Sequence, residues 1–167
     1  MSKLNIERLF LLNPYNDSHL KKLIIFEEEN KIVDKPSLYF KKIRETINEQ
    51  DYFDPNKNDF EEIIFTEKSE RITDCCYIKG ERDLKQCSIE PFNIINKNKR
   101  RNLIEDATNY ATNTLGMERV YIKADFSDNY LINYLELKGY ENLGEVEGSI
   151  VLLKEKEEKE NSQRMIS

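Results

Sequence analysis

The sequence predicts an α/β fold on a mixed sheet of about seven strands flanked by about four helices. Three observations lead there. Residues 62–92 alternate apolar and polar side chains in the strand manner. A helical apolar stripe follows over 103–114, and a second strand-like run covers 119–125. The strand–helix–strand unit spanning 84–125 makes its two strands parallel, while the short turns before it make an antiparallel meander.

The elements follow in order. Residues 4–12 read as a first strand. Asp17 or Ser18 caps a helix over about 18–30, with Leu20, Leu23, Ile24 and Glu27 on successive turns. Pro36 suits the first turn of a second helix reaching about 49, with Tyr39, Ile43 and Ile47 along one face. Strands over 62–68, 71–80 and 84–92 are joined by tight polar turns. Leu103, Ala107, Tyr110, Ala111 and Thr114 then share one helical face, and Gly116 stops that helix. A strand at 119–125 and a helix over about 128–138, ended by Gly139, lead to a hairpin of 140–146 and 149–154 around Gly148. No Gly/Ser linker or internal repeat divides the chain, so residues 1–154 form one domain and 155–167 a charged tail.

Composition excludes several functions. Hydrophobic residues make up 38% and charged residues 35%, a globular chain with a very polar surface. No apolar run approaches the ~18–20 residues of a membrane-spanning helix, so no membrane role is expected. The first residues lack a cleavage site of small side chains, so a cytoplasmic location is expected. A net charge of −6 opposes general nucleic-acid binding, because a phosphate backbone is repelled overall. Cys75, Cys76 and Cys87 have no zinc-type spacing, and no metal is expected. They read as buried free thiols. With His19 the one histidine, triad and multi-histidine chemistries lack their parts.

Residues 103–144, LIEDATNYATNTLGMERVYIKADFSDNYLINYLELKGYENLG, carry a resemblance. Leu103 and Ile104, the late Ala111, Leu115-Gly116 and the Lys138-Gly139-Tyr140 turn resemble the long helix, fifth strand and following helix of the GNAT superfamily of acyl-CoA N-acyltransferases. The element order is similar over nearly the whole chain. The resemblance implies a central pair of parallel strands that splay apart to admit acetyl-CoA or another acyl-CoA as co-substrate. Pantetheine would run along the fourth strand at Cys87, Ser88, Ile89 and Glu90. The pyrophosphate would rest where the next helix begins, at 95–101, on free N–H groups and the helix dipole.

Two departures accompany it. The family cradle carries glycines, whereas Ile95, Asn96, Lys97, Asn98, Lys99 and Arg100 stand here. The usual tyrosine general acid falls on Leu135, with Tyr134 about 100° round the helix.

Lys97, Lys99, Arg100 and Arg101 crowd a helix start, where exposed cations are disfavoured by up to about 1 kcal/mol each. Either their charge replaces glycine-mediated contact with CoA phosphates, or they form a solvated loop paired with Glu105, Asp106 or the tail. Glu90 could serve as general base or be an exposed strand-end carboxylate, and Tyr134 could reprotonate the thiolate or be a groove aromatic. Asn129 is a cap or a ligand contact. Cys87 as a nucleophile has no histidine partner.

The expected activity is direct transfer from acyl-CoA to a primary amine on a small molecule or peptide. Glu27, Glu28 and Glu29 hint at a cationic acceptor. The alternative is a GNAT-fold binding or regulatory module without catalysis. Many members of that superfamily are dimers, and no feature of this chain specifies one.

Overall fold

The computed structural model describes residues 8–32, 35–91 and 97–156. Its elements are β1 (Arg8–Leu11), α1 (Asp17–Glu29), α2 (Pro36–Thr46), α3 (Glu49–Tyr52), β2 (Asp59–Lys68), β3 (Arg71–Glu81), β4 (Gln86–Pro91), α4 (Lys97–Asn109), β5 (Arg119–Asp125), α5 (Asn129–Leu137), β6 (Glu141–Val146) and β7 (Ser149–Glu155). The expected order holds, with α3 added. Residues 4–7 of the expected first strand and 157–167 of the expected tail lie outside the described residues.

All seven strands form one sheet in the order β1-β2-β3-β4-β5-β7-β6. The β4–β5 pair is parallel and every other neighbouring pair antiparallel. A right-handed crossover through α4 is what such a parallel pair requires.

Local sequence sets the helix ends. Asn16, rather than Asp17 or Ser18, caps α1, its side chain accepting the Ser18 and His19 N–H groups at 2.9 and 3.2 Å. Pro36 opens α2, where its missing N–H costs nothing. That helix ends at Thr46 rather than 49, and Asn48 then caps the single turn of α3 through the Asp51 N–H at 2.8 Å. The helix after β4 closes with a π-helical turn, Tyr110–Thr114, which leaves Thr114 exposed although Leu103, Ala107 and Ala111 stay buried as expected. Gly116 and Gly139 take positive φ, 73° and 91°, where each helix hands over to the next segment.

Period-two alternation splits the sheet between two cores. On one face Ile64, Cys76, Ile78, Ile89, Val120, Ile122 and Leu152 pack under Leu103, Ile104, Ala107, Leu131 and Leu135 from α4 and α5. On the other, Ile63, Phe65 and Cys75 of β2 and β3 pack under Leu20, Leu23, Phe26, Phe40 and Ile43 from α1 and α2. Full burial of each such side chain contributes about 1.5–3 kcal/mol. The second core stops at β3. On that same face Ser88, Glu90, Tyr121, Lys123, Val151 and Leu153 of β4, β5 and β7 remain at least partly exposed.

Candidate functional site

Strand register builds a fork in the sheet. The parallel pairing runs Gln86↔Arg119, Cys87↔Val120, Ser88↔Tyr121, Ile89↔Ile122, and ends there. Both strands continue. Glu90 and Pro91 still pair with Tyr77 and Cys76 of β3, while Lys123, Ala124 and Asp125 pair with Val151, Ile150 and Ser149 of β7. Among the described residues, the two central strands therefore share no ladder beyond Ile89 and Ile122.

The backbone edge expected at Cys87, Ser88 and Ile89 is corrected by this register. Those three residues are committed to β5, and a free β4 edge begins only at Glu90. Their side chains divide by parity. Cys87 and Ile89 are 3% and 0% exposed in the core, whereas Ser88 opens on the uncovered face. Burial pushes the Cys87 thiol up to about 12, with nearby Glu62 adding to the rise. That is no nucleophile near neutrality.

Below the fork, on the face left open by α1 and α2, lies a groove of about 640 Å³. Ser88, Tyr121, Lys123 and Val151 form its floor, with Glu61 and Lys79 on β2 and β3 and Tyr39 reaching over from α2. It carries both signs of charge: Asp59, Glu61 and Glu81 against Lys57, Lys79 and Lys123. Tyr39 donates its hydroxyl to Glu61 Oε2 at 2.5 Å, and Lys79 Nζ lies 3.7 Å from Glu61 Oε1. Burial, reinforced by that carboxylate, holds the Tyr39 phenol up at about 12.

At the fork itself Glu90 and Lys123 occupy the first positions past the last paired residues. Their side chains bridge the diverging strands, Lys123 Nζ to Glu90 Oε1 at 3.0 Å. Both are partly solvated, at 48% for Lys123 and 31% for Glu90. The carboxylate thus faces the open side of the sheet and lies within proton-transfer distance of an amine.

The remaining expected residues are spread more widely. Tyr134 packs half-buried against the α4–α5 core, with Lys138 Nζ 5.7 Å from its ring centroid, and is not among the groove's lining residues. Leu135 is fully buried in that core. Asn129 is the exposed first residue of α5, whose cap is Asp128, the Leu131 N–H bonding to its side chain at 3.3 Å. The backbone of Lys97, Asn98, Lys99, Arg100 and Arg101 forms the opening turns of α4; Asn96 and the cluster's side-chain positions lie outside what is described. The resemblance's phosphate site and this helix start thus coincide along the chain.

The acidic hint on α1 has another origin. Glu27 is 1% exposed and accepts the Ser37 N–H at 2.7 Å and the Ser37 hydroxyl at 2.5 Å, so it caps α2. Glu29 pairs across the surface with Arg71 at 3.3 Å.

The sequence reading places Tyr39 only on a helix face and does not single out Glu61, Lys79, Tyr121 or Lys123. A signal existed for part of the set: the exposed positions of RVYIKAD at 119–125 alternate with buried ones, and Lys79 follows buried Ile78 on its strand.

Solved structures share this architecture. Campylobacter jejuni N-acetyltransferase PseH in complex with acetyl coenzyme A superposes with a TM-score of 0.60 at 11% identity, over 91% of this chain and 100% of that one. Spermidine N-acetyltransferase from Vibrio cholerae, a dodecamer, gives 0.63 at 12%, over 89% and 93%. PaiA N-acetyltransferase from Thermoplasma acidophilum in complex with coenzyme A gives 0.57 at 10%, over 90% and 99%. No family profile and no curated protein matches the chain. The chain has the GNAT N-acetyltransferase fold, with a mixed seven-stranded sheet between helical layers.

Proposed function

We propose that this chain is an acetyl-CoA-dependent N-acetyltransferase that transfers its acyl group directly to a primary amine. One observation carries the reading: the β4–β5 ladder stops at Ile89 and Ile122 while both strands go on, and an open groove lies beside the gap. Two of the similar structures contain acetyl-CoA or CoA, which supports that co-substrate for the fold.

The residues present suit a thioester arm in one respect and restrict it in another. Glu90 offers a backbone edge past the last paired residue, but Pro91 has no N–H to donate to a ligand. Contacts further along the arm would fall on the start of α4, whose N–H groups at Lys97 to Arg100 lack intrahelical partners. The four basic residues there would hold the phosphates by charge where glycines are missing.

The chemistry asks for a deprotonated amine close to the thioester carbon. An acceptor amine that reaches the fork from the groove would meet the Glu90–Lys123 pair, and the carboxylate would take its proton as the nitrogen attacks. Tyr39 and Glu61 would hold the far part of the acceptor, small molecule or peptide, by hydrogen bonding. Because the groove mixes charges and Glu27 is a helix cap, the acceptor need not be a polycation.

Calorimetric titration with acetyl-CoA, then thiol release over a panel of primary amines, tests the proposal. Glu90→Gln should lower kcat by about a hundredfold or more with modest change in acetyl-CoA affinity. An unchanged kcat would remove Glu90 from the reaction. A second reading, a GNAT-fold binding module without catalysis, draws on Leu135, a core leucine where the superfamily commonly has its acid. CoA binding with no thiol release for any amine would favour that reading.

A further inference from the structure

We propose that Lys123 is an internal acyl acceptor, the ammonium that bridges the fork to Glu90 taking an acetyl group from a thioester seated between β4 and β5. The inference rests on the acetyltransferase reading above and extends it to a modification of the chain itself.

The argument begins with register. Ile122 is the last β5 residue paired with β4, so Lys123 is the first residue past the fork, and parity turns its side chain to the open face. Glu90 holds the matching place on β4. Their 3.0 Å contact therefore spans the gap rather than running along one strand. On the opposite face of the sheet Ile104 and Leu131, 0% and 1% exposed, belong to the core under α4 and α5. Lys123 stands on the uncovered face of the sheet, a side from which an amine can approach the gap. Lys123 thus combines the two requirements of an acceptor, a primary amine at the fork and a carboxylate within proton-transfer distance.

The other groove lysines lack this combination. Lys79 pairs with Glu61, on β3 and β2, and Lys57 lies 5.9 Å from the Tyr52 ring centroid. Neither sits on a strand that borders the gap.

The step balances. Glu90 removes a proton from the Lys123 ammonium, the freed lone pair attacks the thioester carbonyl carbon, a C–N bond forms and the C–S bond breaks. The amide nitrogen loses a second proton. One of the two ends on the CoA thiolate, the other passes to solvent. The product is Nε-acetyl-Lys123 and CoA, and the groove loses one positive charge. An external amine competes for the same thioester, so self-acetylation is greatest when no acceptor is present.

The experiment uses the full chain incubated with acetyl-CoA and no added amine, followed by intact mass and peptide mapping. One acetyl group on Lys123 is expected, formed about tenfold or more faster than on Lys79 or Lys57, and slowed about a hundredfold in Glu90→Gln. Lys123→Arg should stay unmodified while still binding acetyl-CoA by calorimetry. A readout independent of turnover is protection: bound CoA should shield Lys123 from acetic anhydride while Lys57 and Lys79 remain labelled. If acetyl-CoA binds and acetylates added amines but Lys123 stays unmodified, the inference is overturned and the acetyltransferase reading stands. Equal modification of every exposed lysine, matched in the heat-denatured chain, also overturns it. If acetyl-CoA does not bind at all, both fall together.

Discussion

Replacing Glu27 with alanine tests how the acceptor side of the groove is held. The Glu27 carboxylate, 1% exposed, takes two hydrogen bonds from Ser37, one from the backbone N–H at 2.7 Å and one from the hydroxyl at 2.5 Å. It also sits against the N-terminal end of α2, where the helix dipole favours an anion. A hydrogen bond to a charged group contributes about 1.5–3 kcal/mol, and the Ser37 donors would be left buried without it. Loss of both gives roughly 3–5 kcal/mol after partial relaxation. At about 2–4 °C per kcal/mol for a chain of this size, Tm should fall by about 6–20 °C. Glu27→Gln keeps the shape and one acceptor oxygen and should lose about half as much. Scanning calorimetry of the three proteins at one pH measures this. Tyr39 lies two residues beyond Ser37 and overhangs the groove, so the same variant should raise the acceptor KM more than it lowers kcat. A drop under about 3 °C would mean that water or rearrangement satisfies Ser37 at little cost, and that α2 is not held by this cap.

Two further outcomes follow from packing and titration. Gly80→Ala would place a Cβ at 2.6 Å from Phe60 Cζ and 2.8 Å from Cys87 Cβ, so β3 and β4 must shift; about 1–3 kcal/mol should be lost, read as a lower denaturation midpoint in urea. His19 accepts the Asn13 N–H on Nδ1 at 2.9 Å, and burial first, then Lys22, holds its pKa below the usual 6.5, with Glu67 opposing. The fold therefore prefers neutral imidazole: its stabilisation is complete above the unfolded value and is lost as pH falls through the lowered one. The wild-type Tm should drop more steeply than that of His19→Gln between about pH 7 and 5, and parallel slopes would refute the assignment.

Elements with unambiguous punctuation were legible in the sequence, and those whose signals overlap were less so. The strand at 119–125 appears with the expected limits because it lies between Gly116 and a polar turn. The first helix was assigned the wrong cap because Asn16, Asp17 and Ser18 are all competent, and only the chain's entry angle selects Asn16. The turn of α3 spans four residues, too few for any apolar period to show. At the site, Glu90 is named in the sequence as a strand-end carboxylate and Ser88 through the resemblance, and both lie partly exposed on β4. The ion pair with Lys123 was not legible in this way. It requires the register between β4 and β5, two strands separated by the whole of α4, and the pattern along either strand alone does not state that register. Of the expected backbone edge, Cys87, Ser88 and Ile89 pair with β5 and Glu90 lies past that ladder, which again depends on the register between the two strands.

Why the two strands part where they do follows from their other partners. Past Ile122, β5 keeps a full ladder with β7 through Asp125↔Ser149, so it needs nothing from β4 to remain extended. Past Ile89, β4 has β3 on its far side, but only as far as Pro91↔Cys76. Pro91 has no N–H, so at that position β4 cannot donate to a ladder on either side. Each strand is thus held by its outer neighbour, and the right-handed twist of the sheet carries the two ends apart once the shared bonds stop. A fork made this way exists in the free chain and does not have to be opened by a ligand. The Glu90–Lys123 contact across it is a partly solvated ion pair, worth about 1 kcal/mol or less. It is weak enough for an incoming acceptor amine to displace, and close enough for Lys123 to act as one.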